Sequence, residues 1–340
     1  MPAEPHIFTQ VAAKPIIKWV NERRAIYMRK AIIIDQQQRG LSHPDLSQQG
    51  RYAWGKGGWT LARLTDDPIM QRYKFCNVFR ELDRVTVWIR EHIREPYADH
   101  EHLWFMLAMA RFINWPPTLA MLIAGPDPWP SDERFTPERL TYALEQWKAA
   151  GNKVETGAYM IRAENDRAKP WGSWSKQRYV AEVVLGRAWK RQESWRRVIE
   201  GVGYQPSLEE TWLNLNTVTS PDNGMVGWGP FMAGQIVADL RHTRYLRNAP
   251  DVGRWAPVSI GSARGLNRLA GRKVTAQVQQ DVGLAEMLQL QALVNAKSAS
   301  YVPPIELHDI QNALCETDKY LRVQTGEGRP RATYVPGQTY

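Results

Sequence analysis

The chain has 340 residues, of which 43% are hydrophobic and 23% are charged. This composition is typical of a folded protein and excludes wholesale disorder. The longest apolar stretch, Trp104 to Ile113, is interrupted by Arg111 and is too short to cross a membrane. The N-terminus lacks the pattern of a secretory signal peptide, so we expect a cytoplasmic protein with no membrane partner.

Charge and tryptophan content both bear on the binding partner. The net charge is +9 and the pI is near 9.5, which favours a polyanion such as nucleic acid. The 15 tryptophans leave two roles open, because indole rings stack on bases but also fill cores. Cys76 and Cys315 are too few for a disulfide framework or a cysteine-rich zinc site, and the seven histidines show no spacing typical of metal ligands.

Apolar spacing, together with proline and glycine, predicts a mostly helical chain without internal repeats. The predicted helices cover residues 14–38, 67–93, 99–114, 136–150, 176–200, 207–216, 230–246, 282–297 and 304–322. We divide the chain into an N-terminal helix and linker (1–65), a first helical lobe (66–200), a second lobe (201–300), and a C-terminal helix with a basic tail (301–340). The boundary between the two lobes is expected near Gly201 to Gly203.

A first candidate site lies in the predicted helix around residues 73–86. At 3.6 residues per turn, Asn77, Arg80 and Arg84 stack on the side opposite the apolar arc, with Asp83 at the flank. One interpretation is a solvated face with charge pairs between neighbouring turns. The other is a ridge of two guanidinium groups and an amide, suited to phosphate oxygens.

A second pattern is that of a helix-hairpin-helix. A helix over 207–216 is followed by Gly227-Trp-Gly229 and by a helix that contains Ala233 and Ile236. Glycines permit the tight turn and let a DNA phosphate approach the backbone N–H groups at the start of the next helix. Gly227 and Gly229 are therefore candidate DNA-binding residues, and a plain capping turn is the alternative.

The C-terminal helix has an apolar stripe and an opposite polar side that carries Asp309, Asn312, Glu316 and Lys319. Residues at this spacing form either a surface ladder or the wall of a cleft. In a cleft, a carboxylate can take a proton from an amine and a lysine can hold a phosphate. Ser262, Arg264 and Asn267, in a glycine-bounded loop and the helix after it, are further candidates for phosphate binding. The sequence contains no Walker motif, which argues against a P-loop kinase.

Five motifs in this order resemble one family. They are Phe75 to Thr86, Thr156 to Ile161, Gly229 to Ile236, Gly261 to Leu266, and Asp309 to Arg322. Together they resemble the alpha-glutamyl/putrescinyl thymine pyrophosphorylase group of phage DNA-hypermodification enzymes, which is related to the helical module of 5-hydroxymethyluracil DNA kinases. The resemblance covers roughly residues 60–334, and the ordered set is more specific than any single motif.

The resemblance implies an all-α fold like that of helix-hairpin-helix DNA glycosylases, with a cleft between two lobes and the C-terminal helix packed back against it. It also implies an amino-acid:DNA transferase. In such pathways a separate kinase converts a 5-hydroxymethyl group on the base to a pyrophosphate ester. The transferase then displaces pyrophosphate with an amino acid or a polyamine. The expected partners are double-stranded phage DNA with a modified pyrimidine, this co-substrate and the upstream kinase, in an infected bacterial host cell.

This chemistry requires the base to leave the helical stack, and it assigns roles to the candidate residues. The catalytic candidates are Asp83, Asp239, Asp309 and Glu316, one of which would take the proton of the amine, and Lys319. The candidates for binding substrate or pyrophosphate are Asn77, Arg80, Arg84, Tyr159, Gln235, Ser262, Arg264, Asn267, Gln311 and Arg322. The sequence predicts no metal site, and Mg²⁺ is the one cofactor that pyrophosphate chemistry suggests.

Two other functions fit the same features. A glycosylase acting on a modified base is disfavoured, because the stretch from Trp255 to Gly265 lacks the acid that such enzymes place after the hairpin. A non-catalytic DNA-binding module that recruits a kinase explains the charge, the tryptophans and the hairpin equally well.

Overall fold

The computed structural model describes residues 4–38, 64–125, 129–130, 135–156, 170–216, 227–330 and 333. Throughout these residues the regular structure is helical and no β-strand occurs, although a single antiparallel bridge joins Tyr73 and Thr333. The predicted all-α fold class is therefore confirmed. The predicted linker after residue 38, up to residue 63, lies outside the described residues.

The helices are bounded as follows. They are α1 (Gln10–Gln38), α2 (Pro68–Arg72), α3 (Arg84–Ile89), α4 (Leu103–Ile113), α5 (Pro116–Ala124), α6 (Pro137–Ala149), α7 (Lys176–Arg178), α8 (Gly186–Lys190), α9 (Gln192–Glu200), α10 (Leu208–Asn216), α11 (Pro230–Leu240), α12 (Ile260–Leu269), α13 (Gln280–Lys297) and α14 (Leu307–Gln324). A 3₁₀ turn covers Arg80–Leu82, and π-helical segments cover Arg90–Arg94 and Tyr179–Leu185. No helix among these is both long and apolar enough to span a bilayer.

The chain forms two compact units that do not follow the order of the sequence. Unit 1 consists of residues 1–83 and 258–340, and unit 2 of residues 84–257. The C-terminal helices belong to unit 1 because α12, α13 and α14 all pack against α1. The boundary predicted near Gly201 to Gly203 lies inside unit 2.

In unit 1, α12 and α14 approach each other closely through two glycines. A Cβ atom at Gly261 would stand 2.5 Å from Cys315 Sγ, and one at Gly265 would overlap the backbone carbonyl of Leu314. Only a residue without a side chain permits this separation. The two helices therefore form a tightly packed pair in this unit.

The predicted helix over residues 67–93 is wrong in its middle part. Asp67 caps α2 and Pro68 begins it, as expected, but α2 ends at Arg72 and residues 73–79 are not helical. The chain then forms the 3₁₀ turn before α3 begins. Asn77, Arg80 and Arg84 consequently do not stack along one helix face.

Competing hydrogen bonds explain this break. The backbone N–H groups of Cys76 and Arg80 donate to the carboxylates of Glu316 and Asp309, at 2.9 and 2.8 Å. A polar side chain that binds a backbone group offers it an alternative to the helical bond. Apolar periodicity carries no information about such distant partners.

The remaining predicted helices are found with altered ends. The helix expected over 176–200 is divided into α7, a π-helical segment, α8 and α9. Pro116 and Pro117 do not only end the preceding helix: they also begin α5, because proline suits the first turn of a helix. Capping residues and prolines in the sequence thus predict where a helix begins better than they predict its length.

A buried ion pair holds unit 2 together. Arg111 on α4 and Asp239 on α11 are almost fully buried, and two guanidinium nitrogens of Arg111 donate to the two oxygens of Asp239, each at 2.5 Å. Arg111 also donates to Thr86 Oγ1 at 3.1 Å, which links α3. Asp239, a predicted proton acceptor, therefore has a structural role.

This ion pair predicts a stability test. Arg111→Met leaves the Asp239 carboxylate buried without its partner, so we expect the free energy of unfolding to fall by about 3–5 kcal/mol. The double variant R111M/D239L should lose less than R111M alone, because no charge remains buried. Urea unfolding followed by circular dichroism measures both, and parental stability of R111M would contradict this interpretation.

Candidate active site

The polar side of α14 contacts the backbone of residues 74–80 in unit 1. Asp309 Oδ1 accepts the hydrogen bond of Arg80 N, and Glu316 Oε2 accepts that of Cys76 N. Both carboxylates are buried. Because each oxygen faces a backbone donor, these two acids position the segment.

Two donors on the same side of α14 hold the carbonyls of this segment. Asn312 Nδ2 donates to the Asn77 carbonyl at 3.1 Å, and Lys319 Nζ donates to the Lys74 carbonyl at 2.9 Å. Lys319 also pairs with Glu316 at 2.6 Å. We call Asp309, Asn312, Glu316 and Lys319 the α14 clamp. It is neither an exposed ladder nor an open cleft wall, and a role of its members in proton or phosphate chemistry stays a prediction.

Asn77 folds the end of this segment into a turn. Its side-chain oxygen accepts from Phe79 N at 3.2 Å, and its amide nitrogen donates to the Leu82 carbonyl at 3.1 Å. An asparagine that binds nearby backbone groups in this way stabilises a turn. The predicted contact of Asn77 with a uracil edge is therefore not supported, since its amide is buried and already bonded.

Asp83 ends the turn and carries a half-buried carboxylate. Its backbone N–H donates to the Arg80 carbonyl at 3.0 Å, which fixes the end of the 3₁₀ turn. Its carboxylate oxygen Oδ2 accepts a hydrogen bond from Asn77 N at 3.5 Å, and the carboxylate interacts electrostatically with the guanidinium of Arg23 on α1. Burial lowers the pKa of Arg23, and the Asp83 carboxylate is the strongest charge opposing that shift. The turn therefore presents an acid next to a cation.

Arg23 and Arg24 were not selected as site residues from the sequence. Arg23 Nε donates to the Cys76 carbonyl at 2.9 Å. The Arg24 guanidinium carbon lies 5.2 Å from the ring centroids of both Tyr27 and Phe79. The available signal in the sequence was the pair of adjacent arginines within the first predicted helix. Both arginines contact the segment that the α14 clamp holds.

A second charged cluster lies on the opposite side of α14. Arg264 Nε and Arg268 Nε donate to the two oxygens of Asp318, at 3.0 and 2.5 Å. Arg268 also binds Glu327 through two hydrogen bonds, which lower the pKa of Glu327 to about 2. We call Arg264, Arg268, Asp318 and Glu327 the α12 cluster.

The two clusters are centred on acids that face opposite sides of α14. Asp318 and Glu316 are two residues apart in α14, so their side chains point in nearly opposite directions. Arg264 pairs with the first and Lys319 with the second. The hypothesis that Arg80, Arg264 and Lys319 together hold a departing pyrophosphate is therefore not supported within unit 1.

Three predicted ligand-binding side chains are buried in structural contacts around α12. Ser262 forms a capping box with Ser259, Asn267 donates to two backbone carbonyls, and Gln311 Nε2 donates to Ser259 Oγ at 2.8 Å. These hydrogen bonds stabilise the ends of α12, whereas Asn267 Oδ1 is buried without a hydrogen-bond partner among the described residues. No path to a phosphate or a base is evident at these positions, because all three are buried.

The other predicted residues are scattered. Arg322 is half-buried on α14, and within the described part of the chain its Nε has no hydrogen-bond partner. In unit 2, Arg84 is exposed at the start of α3, and Gln235 is buried in α11. Tyr159 lies outside the described residues. Arg84 and Gln235 therefore lie outside the compact unit that contains the α14 clamp.

The two predicted hairpin glycines differ in whether their positions require a glycine. Gly227 has φ +89°, and a Cβ there would stand 3.1 Å from Val184 Cγ2, so both conformation and space demand glycine. Gly229 has φ −65° and caps α11 without a side-chain bond, and a Cβ there would meet nothing within 4 Å. The connection before Gly227, residues 217–226, lies outside the described residues. DNA binding by this turn stays a prediction.

A cavity of about 970 Å³ also opens in unit 1, between α1, α2 and the end of α14. Its wall includes Lys14, Lys18 and Tyr320, but none of the predicted site residues. In the described part of the chain, no three His, Cys, Asp or Glu side chains are grouped so that they could hold a metal ion. The cavity and the α14 clamp are separate features of this unit.

Comparison with known families places the chain. A family model described as the helical domain of 5-hmdU DNA kinases matches residues 57–329. The chain belongs to this family. No curated protein and no solved structure matches it. The predicted relation to the helical module of these kinases is confirmed, and the narrower relation to the transferase group stays a prediction.

The geometry of Gly229 provides a clean test of DNA binding. Gly229→Ala adds a methyl group in open space at an allowed φ, so the melting temperature should stay within about 2 °C of the parent. If a DNA phosphate approaches the start of α11, the methyl group obstructs it, and we expect affinity for duplex DNA to fall about tenfold. Fluorescence anisotropy measures the affinity, and equal affinity of both proteins would exclude this contact.

Proposed function

We propose that the chain is a transferase in phage DNA thymine hypermodification. It displaces pyrophosphate from 5-(pyrophosphoryloxymethyl)uracil in DNA with an amino acid or an amine. Membership in the helical-domain family of 5-hmdU DNA kinases supports a role in DNA base modification, as part of an enzyme system. The ordered motifs that resemble the transferase group support the specific reaction.

The observation that carries this proposal is the position of Asp83. Its half-buried carboxylate lies beside Arg23, at the end of a segment whose backbone the α14 clamp holds. A fixed backbone keeps a reacting group at a constant place, and such positioning is a main source of catalytic rate. Asp83 is half-buried and accepts a long hydrogen bond from Asn77 N at 3.5 Å. The other predicted proton acceptors, Asp239, Asp309 and Glu316, are buried and accept shorter structural hydrogen bonds.

The proposed reaction needs one group that accepts a proton and one cation that stabilises the leaving group. The nucleophile forms a bond to the exocyclic methylene carbon, and the bond from this carbon to the pyrophosphate oxygen breaks, leaving its electron pair on that oxygen. An attacking ammonium must lose a proton, which passes to the Asp83 carboxylate. The charge that develops on the leaving oxygen requires a nearby cation, for which Arg80 is the predicted residue. The target base must leave the helical stack to reach these groups.

Charge distribution supports a DNA substrate. Most of the excess of Lys and Arg over Asp and Glu belongs to unit 1, which contains the α14 clamp. Arg264 contacts the side of α14 opposite the clamp. In the described part of the chain it makes one hydrogen bond, from Nε to Asp318, which leaves its terminal nitrogens for another partner. Cations of this kind suit backbone phosphates, which contribute affinity independent of sequence. An upstream kinase would supply the pyrophosphorylated base in the infected cell.

A second candidate function is a non-catalytic DNA-binding module that recruits a modification kinase. Two observations favour it: the matching family model describes a domain of a kinase, and all four predicted catalytic carboxylates accept structural hydrogen bonds. This function needs the hairpin and the basic surface but not Asp83. The two candidates therefore differ in what Asp83 does.

One assay separates these functions. The protein is incubated with duplex DNA containing 5-(pyrophosphoryloxymethyl)uracil and a mixture of amino acids and polyamines, with and without Mg²⁺, and the nucleosides are analysed by mass spectrometry. A transferase yields a heavier nucleoside together with free pyrophosphate. An abasic site would indicate a glycosylase, and unchanged DNA that is nevertheless bound would indicate the non-catalytic module.

The role of Asp83 predicts a matched pair of variants. Asp83→Asn removes the proton acceptor at constant size, and we expect transfer to slow by about a hundredfold or more. Glu81→Gln makes the same chemical change on the same 3₁₀ turn and should leave the rate within about threefold. Single-turnover transfer rates measure both, and parental activity of D83N would remove Asp83 from the mechanism.

A further inference from the structure

Arg24 has buried donors that the described protein does not satisfy. Its Nε and Nη1 atoms are buried and lack a hydrogen-bond partner within the described residues, although its guanidinium stacks between Tyr27 and Phe79. Leaving a buried guanidinium donor without a partner is costly. Stacking fixes the plane of the group but satisfies none of its N–H bonds. The geometry therefore indicates an acceptor that the described part of the chain does not supply.

The Arg23 guanidinium also has donors that lack a partner among the described residues. In the described part of the chain it makes one hydrogen bond, from Nε to the Cys76 carbonyl, which leaves the two terminal nitrogens for another partner. The guanidinium fork is suited to pairs of oxygens on a carboxylate or phosphate. Arg23 and Arg24 are consecutive, and one contacts Cys76 while the other contacts Phe79. Both guanidinium groups therefore border the same short segment.

The charge around this segment favours an anion. Lys319 already neutralises Glu316, the carboxylate that reaches Cys76. Asp83 and Asp309 offset the two arginines, and Lys74 and Arg80, both within the segment, then leave an excess of positive charge around it. A ligand with several acceptor oxygens and more than one negative charge satisfies both the unpaired donors and this excess.

We propose that Arg23 and Arg24 form a diphosphate-binding subsite on α1, beside Asp83. This inference rests on the proposed function for the identity of the anion, because the departing group of that reaction is pyrophosphate. The subsite would hold the leaving group from the moment its bond to carbon breaks. It assigns the leaving group to the side of α14 that carries the clamp, away from the α12 cluster.

Pyrophosphate binding tests the subsite without requiring any transfer. Isothermal titration calorimetry of the full chain with inorganic pyrophosphate gives the affinity of each variant. We expect Arg24→Ala to weaken binding at least tenfold, because it removes the unsatisfied donors together with their charge. Lys18→Ala removes the same charge from an exposed position of the same helix and should change the affinity less than twofold.

A second variant guards against misfolding. Arg24→Lys keeps the charge and much of the stacking but loses the planar fork, so it should fold like the parent and still bind pyrophosphate several-fold more weakly. Equal losses in R24A and K18A would show a nonspecific charge effect and overturn the subsite, as would undetectable binding by the parent. Binding that depends on Arg24 in a protein without transfer activity would uphold the subsite and reject the transferase. Transfer activity without Arg24-dependent binding would uphold the transferase and reject the subsite.

Discussion

The contact between the polar side of α14 and the backbone of residues 74–80 determines the candidate site. Residues 74–79 are neither helix nor strand, so the N–H and carbonyl groups of this segment need other partners when they are buried. The α14 clamp supplies two acceptors, from Asp309 and Glu316, and two donors, from Asn312 and Lys319. The clamp side chains, whose types suit catalysis, therefore hold residues 74–80 in place. Asp83 follows directly after this segment.

Features that depend on local spacing were predictable from the sequence. The apolar stripe of α14, the cap at Asp67 and the start of α11 after Gly229 are found as expected, because each depends on residues within one or two turns. The break after Arg72 and the division into units were not predictable. They depend on partners more than 200 residues away, such as the bond from Cys76 to Glu316, for which periodicity has no signal.

The site residues show the same limit. A polar residue in a helix looks alike in the sequence whether it binds a ligand or another helix. Ser262, Asn267 and Gln311 were predicted to bind the substrate, and the structure places them in buried hydrogen bonds around α12. Arg23 and Arg24 appeared ordinary, since their neighbours in space are distant in sequence. Polar residues on opposite sides of α14 divide the predicted site in two. The family match supports a role in DNA base modification, and it is the clamp side that supports the proposed chemistry.

Hydrogen exchange of the Arg80 and Cys76 backbone amides tests the central claim most directly. Both amides donate to carboxylates of α14, so native-state exchange should be slow at these positions in the parent. In Asp309→Ala we expect exchange at Arg80 to accelerate at least tenfold while the amides inside α14 stay protected. Glu306→Ala, an exposed acid at the start of the same helix, should leave Arg80 unchanged. Equal exchange at Arg80 in the parent and in D309A would contradict the account, because the segment would then not depend on the clamp.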